Sequence, residues 1–422
     1  MSQLYALRRA GVRRLATAYT LAELSDSVVA VGLALLVLNK TGSVAWTTAY
    51  FVLAKGLPAV VAPAITAALD RHAVARLEWL YGGQALLIAG ICLVPIPAYA
   101  LPLAALAASC ALPARSLTRA QIARRLKNVG MLRQGNSVVN IAFAAAATIG
   151  AAAGGALVAL AGYRAPLIAG AVAALIAVPL VRGARGRAAA THASWRVELR
   201  NGLSFARSTP GVWSLISLEA GALIAFTLVI PIEVLYAERS LDVGAGGYGA
   251  LIAAWGAGIF AGGFGFVLLR NSSLLVLATA ATTVIGISYI GLALTTTLVI
   301  ACLVSFLGGA GNGVQWVAVV TALQEKVPDE FQARVVGLLD SAATLAPVAA
   351  YTLGGVLAQT LSPRAAYAVA GAGALLCAAA FARQSRRAEA RPAPAVSPAP
   401  HTNGEVASPA PHTSGEVASP AR

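Results

Sequence analysis

Charge is what this sequence has least of. Asp, Glu, Lys and Arg together make up 11% of 422 residues, against roughly a quarter in an average soluble domain. A water-soluble fold of this length could not cover its surface with so few charges. Histidine is scarce too. His72, His192, His401 and His412 fall in loops or in the C-terminal tail, without metal-ligand spacing. The four cysteines, Cys92, Cys110, Cys302 and Cys377, all lie within apolar runs. They read as small packing residues rather than disulfide partners. No Gly-x-x-x-x-Gly-Lys-Ser/Thr loop is present, so ATP is not the evident energy source. No catalytic constellation stands out, and neither a metal nor a cofactor is expected.

What the sequence has instead is apolar length. Hydrophobic residues make up 58% of the chain and gather in runs of about 20, which matches a bilayer core of roughly 30 Å at 1.5 Å per helical residue. Twelve such runs fall at 15–38, 44–68, 77–97, 99–119, 137–161, 164–182, 212–236, 246–269, 274–294, 298–323, 334–359 and 364–383. Lipid offers no partners for backbone N–H and C=O groups, so these runs are expected as helices. The alternating segments of about ten residues that mark a β-barrel are missing. The expected fold is an all-α membrane protein of twelve transmembrane helices.

The formal net charge is +15, and its placement speaks against nucleic acid. Of 31 Lys and Arg, four (Lys40, Arg164, Arg239 and Arg364) lie at alternate loops, Lys55 lies inside a span, and 26 lie at the termini, in the remaining loops or at the adjoining span ends. Arg115, Arg119, Arg124, Arg125, Lys127 and Arg133 surround the junction of spans four and five. This bias places both termini in the cytoplasm of a multi-pass protein. The first span is too long for a signal-peptide core and carries Glu23 and Asp26, so cleavage is not expected.

The chain also repeats itself. Ala54-Lys55-Gly56 finds Ala254-Trp255-Gly256, Gly154-Gly155 finds Gly354-Gly355, and Arg164 finds Arg364, each 200 residues on. Glu23 pairs less neatly with Glu219, at an offset of 196. A constant offset with one span order implies two pseudo-symmetric six-helix halves in parallel orientation. We expect a first half at 1–182, a basic cytoplasmic linker at 183–211 with a helix over 194–208, and a second half at 212–384. A tail at 385–422 is rich in Pro, Ala and Ser and too poor in large apolar residues to form a core.

Three stretches carry a family likeness. Leu69-Asp70-Arg71 resembles the Asp-Arg loop of the major facilitator superfamily. Gln324 to Glu330, with Arg334-Val335, resembles the loop before span eleven in its bacterial branch of macrolide-efflux and enterobactin-exporter proteins. Tyr248-Gly249 through Gly256 to Gly263 resembles that branch's eighth helix. The likeness covers about residues 8–385. It implies a transporter of the bacterial cytoplasmic membrane, monomeric, exporting a small and largely apolar compound by proton antiport. It also implies gating loops at Asp70, Arg71, Arg76 and Arg334, and a meeting of spans five and eight across the halves. The Gly150/Gly154 and Gly258/Gly262 spacings are the expected contacts there. An uptake permease of the same fold, or a non-transporting scaffold or sensor, stands as the alternative.

Charges inside the spans are the remaining clue. An ionisable group at a helix centre costs about 2.5–3.5 kcal/mol on insertion scales. Glu23 and Asp26 share a face of span one, three residues apart, with Lys55 at a similar depth in span two. Glu219 lies in span seven and Asp340 in span eleven, while Glu233 sits near an outer end where interfacial water would solvate it. Two carboxylates in one low-dielectric place cannot both ionise freely, which suits proton coupling chiefly at Asp26 with Glu23 beside it and Lys55 as companion, and next at Glu219 and Asp340. A static Asp26–Lys55 ion pair is the competing reading. Asn136, Asn140, Trp255, Asn312, Gln315 and Trp316 are expected to line a substrate cavity, with Tyr50 and Phe226 as further aromatic walls.

Overall fold

The computed structural model describes residues 10–58, 61, 77–127, 132–182, 203–269, 272–327 and 346–389. These are almost wholly helical. The first half has α1 (Ala10–Thr41), α2 (Val44–Phe51, continued by a π-helical turn at Val52–Gly56), α3 (Leu77–Leu93), α4 (Pro97–Lys127), α5 (Leu132–Ala161) and α6 (Arg164–Val181). The second has α7 (Pro210–Leu235, with a π-helical turn at Tyr236–Ser240), α8 (Gly244–Leu268), α9 (Leu274–Leu294), α10 (Leu298–Lys326), α11 (346–360) and α12 (Pro363–Glu389). Among the described residues, nine helices are long and apolar enough to cross a membrane, and the shorter Leu77–Leu93 is apolar as well. They fit the twelve-helix arrangement. The expected linker helix is described only over 203–208, where the chain is helical.

Helix ends follow local chemistry. α1 and α5 stop at Gly42 and Gly162, whose φ values of 61° and 75° need no side chain in the way. Their N–H groups close on the carbonyls of Leu38 and Val158. α2 starts where the Ser43 hydroxyl accepts from the Trp46 N–H at 3.4 Å.

Packing repeats between the halves. α1 packs on α4, α5 and α6, and α3 on α4 and α6; α7 packs on α10 and α12, and α9 on α10 and α12. The glycine pairs show the repeat residue by residue. A Cβ at Gly154 would meet the Val28 carbonyl of α1 at 3.0 Å, and one at Gly354 would strike the Leu228 carbonyl of α7. The second glycine of each pair faces the other half. A Cβ at Gly155 would lie 2.6 Å from the Ala245 carbonyl and 2.8 Å from Gly249 Cα in α8, while one at Gly355 would overlap Thr48 in α2. Backbones this close are possible only with no side chain between them.

Spans five and eight therefore do meet across the halves, but not through the expected spacings. Gly150 and Gly154 face Leu24, Ser27 and Val28 of α1. Gly258 and Gly262 face Phe306 and Ala310 of α10. Both spacings hold helices together within one half, and the residues between the halves are Gly155, Gly249 and Gly256, the last against Thr148.

The apolar core is unevenly divided. At one end a single buried cluster runs through both halves, from Leu33 and Tyr50 to Ile232, Tyr248 and Tyr367. At the other end the described residues form two clusters, one around Val12, Tyr81 and Leu117, the other around Leu215, Ala278 and Val319. Arg239 ties the shared end together by donating to the Gly42 carbonyl at 2.5 Å.

Candidate functional site

Four residues in the first half form a buried ionic cluster. The π-helical turn at Val52–Gly56 carries Lys55, and its ammonium donates to Asp26 of α1 at 2.6 Å. Arg115 of α4 donates to Glu23 at 2.8 Å and lies 3.3 Å from Asp26. The Glu23 and Arg115 side chains are only 10% and 12% exposed. Two anions thus meet two cations. The expected crowding of two unbalanced carboxylates is absent, because Arg115 stands within the bundle rather than in the loop between spans four and five. α4 continues unbroken from Pro97 to Lys127, so the position at which the sequence turns basic is still helix facing α1. Beside the cluster is a small cavity lined by Asp26, Lys55, Tyr50 and Gln84 together with Leu33 and Ile88.

The second half carries different chemistry at the same positions. Two hundred residues beyond Asp26, Lys55 and Arg115 stand Phe226, Trp255 and Gln315. The ion pair is replaced by a stacked ring pair, with Phe226 and Trp255 centroids 5.6 Å apart and planes 24° apart. Arg115 is replaced by a neutral amide, whose Nε2 donates to Glu219 of α7 at 2.5 Å. Glu219 is 5% exposed and Gln315 1%. No cation pairs with Glu219 among the described residues. The ring stack continues to Tyr289 of α9, 5.4 Å from Trp255 and tilted by 11°, and from Tyr289 to Tyr367 of α12 at 5.8 Å.

The other expected residues are less gathered. Trp255 is buried in that stack, and Gln315 holds Glu219. Asn312 is half-buried one turn before Gln315, and Trp316, next to it, is 45% exposed. Asn136 and Asn140 lie on α5, with their side chains outside the described set. Asp70, Arg71, Arg76, Arg334 and Asp340 lie outside the described residues. Glu233, expected in interfacial water, is half-buried in the last turn of α7. Sequence reasoning missed Arg115 and Tyr289. The 200-residue offset from Arg115 to Gln315 was the signal that could have found the first.

Comparison with known proteins bears on the whole fold. The sequence profile of the Major Facilitator Superfamily matches residues 272–414. Among curated protein sequences nothing matches. Solved structures share the fold at low identity. A POT family transporter in complex with a thioalcohol-conjugated peptide aligns over 89% of this chain and 96% of its own, at TM-score 0.70 and 12% identity. The nucleoside transporter NupG aligns over 89% and 99%, at 0.64 and 15%. A bacterial homolog of the human lysosomal transporter Spinster, in an inward-facing and occupied conformation, aligns over 91% and 98%, at 0.66 and 15%. The profile match spans α9 to the C-terminal tail, and these solved structures share the fold of the whole chain.

Proposed function

We propose that the chain is a proton-driven exporter of a small, largely apolar compound. It works by alternating access in the bacterial cytoplasmic membrane, with both termini in the cytoplasm. The basic loops support a cytoplasmic side at the end with two separate cores. The sealed end, held by Gly155 against Gly249 and by Arg239 on Gly42, is then the outer one. This is an inward-facing arrangement. Rocking of one half against the other exposes the same site to either side in turn.

The observation that carries the reading is the contrast between two buried acid environments. Glu23 and Asp26 are balanced by Arg115 and Lys55, whereas among the described residues Glu219 has only the neutral Gln315. Burial without a countercharge disfavours the ionised form. Glu219 is therefore the group that takes up and gives back the proton, and the first-half cluster is the fixed tie between α1, α2 and α4. Export rather than uptake follows the resemblance to the macrolide-efflux branch.

Accumulation of a macrolide antibiotic in cells tests direction and drive together. Cells making the protein should hold less of it than control cells, and a protonophore should abolish the difference. Greater accumulation would turn the reading into an uptake permease. No effect of the protonophore would remove the proton. Glu219→Gln should bind and exchange substrate across proteoliposomes without a gradient, yet fail to concentrate it when a proton gradient is imposed.

A further inference from the structure

The described walls of the cavity beside the ionic cluster all belong to the first half. They come from α1, from α2 with its π-helical turn, and from α3 and α4. Small side chains make the room, since α4 contributes Ala104, Ala107, Ala108 and Ala111. About 20 Å³ is open to the centre of a water molecule. One water needs roughly 10–15 Å³ by that measure. The space therefore holds a single water and is too small for an organic compound.

The charges around this cavity are answered, but one amide is not. Ser25 of α1 gives its only hydrogen to the Gly170 carbonyl of α6 at 2.8 Å. Towards Gln84 of α3, 3.4 Å away, it can therefore only accept, so the Gln84 group turned to Ser25 is the NH2. That fixes the amide. Gln84 Oε1 is left buried without a hydrogen-bond partner, in a residue only 2% exposed. Buried polar groups are as a rule hydrogen-bonded, so this oxygen calls for a donor. Two other lining groups have capacity to spare. Tyr50 gives its hydrogen to the Ala30 carbonyl at 3.3 Å, which leaves its oxygen able to accept. Lys55 has three donors and, among the described residues, spends one on Asp26.

The occupant must also be neutral. Glu23 and Asp26 already balance Arg115 and Lys55, and an added ion would be a buried charge without a partner. From the space, the open acceptor and this balance, we infer that the cavity binds one internal water, which donates to Gln84 Oε1 and the Tyr50 oxygen and accepts from Lys55. Three partners are the usual complement of a buried water. The water carries the ionic tie of α1, α2 and α4 on to α3, and through Gln84 and Ser25 to Gly170 of α6. The second half has no counterpart. Two hundred residues beyond Tyr50, Lys55 and Gln84 stand Ala250, Trp255 and Val284, whose side chains hold no acceptor.

The test is radiolytic hydroxyl labelling of the purified full-length protein in detergent. A short X-ray pulse makes hydroxyl radicals from water where it stands, and mass spectrometry finds the side chains that receive them. Neither substrate nor gradient is involved, so the result is independent of the transport reading. Tyr50 and Tyr236 are 1% and 0% exposed, and the Tyr236 hydroxyl is spent on the Leu292 carbonyl in the sealed core. Tyr50 should nevertheless be labelled about tenfold faster than Tyr236. Gln84→Leu removes the open acceptor, and Ala108→Val puts two methyl groups into the space. Each should slow Tyr50 labelling about fivefold or more and leave Trp79, 72% exposed on α3, labelled as in the parent. Melting curves establish that each variant is folded, and Ala108→Val decides alone if Gln84→Leu is not. Labelling of Tyr50 no faster than Tyr236 in the parent would show a dry cavity and overturn the inference. Unchanged Tyr50 labelling in folded Ala108→Val would place the water elsewhere and overturn it too. Exchange of sodium chloride for choline chloride should alter neither labelling nor melting temperature. A change in both would make the occupant a sodium ion.

Discussion

The two halves share a backbone plan and differ in what they bury. Where the first half places Asp26, Lys55 and Arg115, the second places Phe226, Trp255 and Gln315. Each half keeps a carboxyl on its first helix and brings it to the equivalent position of its fourth: Glu23 to Arg115, Glu219 to Gln315. One arrangement is complete in itself, with every charge answered. The other lacks a cation among the described residues and has two buried donors open. On the proposed function, the first half is the fixed tie and the second half carries the proton. A transporter that must hold together while exchanging a proton and a substrate is well served by such a division.

Removing one cation from the tie should give the largest effect. Arg115→Met leaves Glu23 without a cation and Asp26 with Lys55 alone. Breaking a buried charge network from one side costs about 3–5 kcal/mol. Gln315→Leu, at the equivalent place, removes one neutral donor and should cost roughly 1–3 kcal/mol. Thermal unfolding in detergent of the two variants side by side measures the difference. Equal losses would mean that the halves are not divided as described.

The next test makes the second half resemble the first. Gln315→Arg sets a cation against Glu219 at the position where Arg115 meets Glu23. The protein should fold, and Glu219 should stay ionised as a fixed ion pair. Proton-driven export should then fall about tenfold or more, equivalent to roughly 1.4 kcal/mol. Transport in proteoliposomes with an imposed proton gradient reads this directly. Normal export by the folded variant would take the coupling role away from Glu219.

Neighbouring glycines offer a comparison of intermediate size. Gly154 faces α1 of its own half, and Gly155 faces α8 of the other. Gly154→Leu overpacks a contact that no rocking motion releases and should lower the melting temperature, with a cost of about 1–3 kcal/mol. Gly155→Leu meets its obstacle only while the outer end is sealed. It should leave stability nearer the parent and shift the protein toward the opposite state. Alkylation of a cysteine at Leu251, which is 4% exposed in the shared core, checks this in a background without the four native cysteines. Faster labelling with Gly155→Leu than with Gly154→Leu is expected, and the reverse order would contradict the assignment of the two faces.

Much of the fold was legible because the bilayer imposes one length on every span. Runs of about 20 apolar residues appear in sequence whatever they pack against, and the constant offset of 200 exposed the repeat. The site was less legible for two physical reasons. Helix α4 runs well past its apolar stretch, to Lys127, so nothing in composition separates the inward-facing Arg115 from the basic residues beyond it. Glycine spacing shows that a backbone approaches closely but not which neighbour it approaches. The spacing therefore points Gly150, Gly154, Gly258 and Gly262 at the wrong neighbours, although α5 and α8 do meet. The Asp26–Lys55 pairing was readable from matching depth, whereas its replacement by a ring pair at Phe226 and Trp255 needed the two halves to be laid side by side.

That replacement allows a test in which little should happen. Asp26→Phe with Lys55→Trp transfers the second half's ring pair into the first. The two substitutions remove one negative and one positive charge together, so the cluster stays balanced with Glu23 on Arg115. Exchanging a buried ion pair for apolar groups is often neutral or stabilising, while removing one partner alone is costly. Each single variant should therefore melt well below the parent, and the double variant should recover to within about 1 kcal/mol of it. Phe226 and Trp255 already show that these helices accept two rings at these positions. Gradient-driven export should survive in the double variant, because Glu219, Gln315 and the second-half stack are untouched. A folded double variant that no longer exports would place the coupling proton on Asp26 and make the first-half cluster part of the transport cycle.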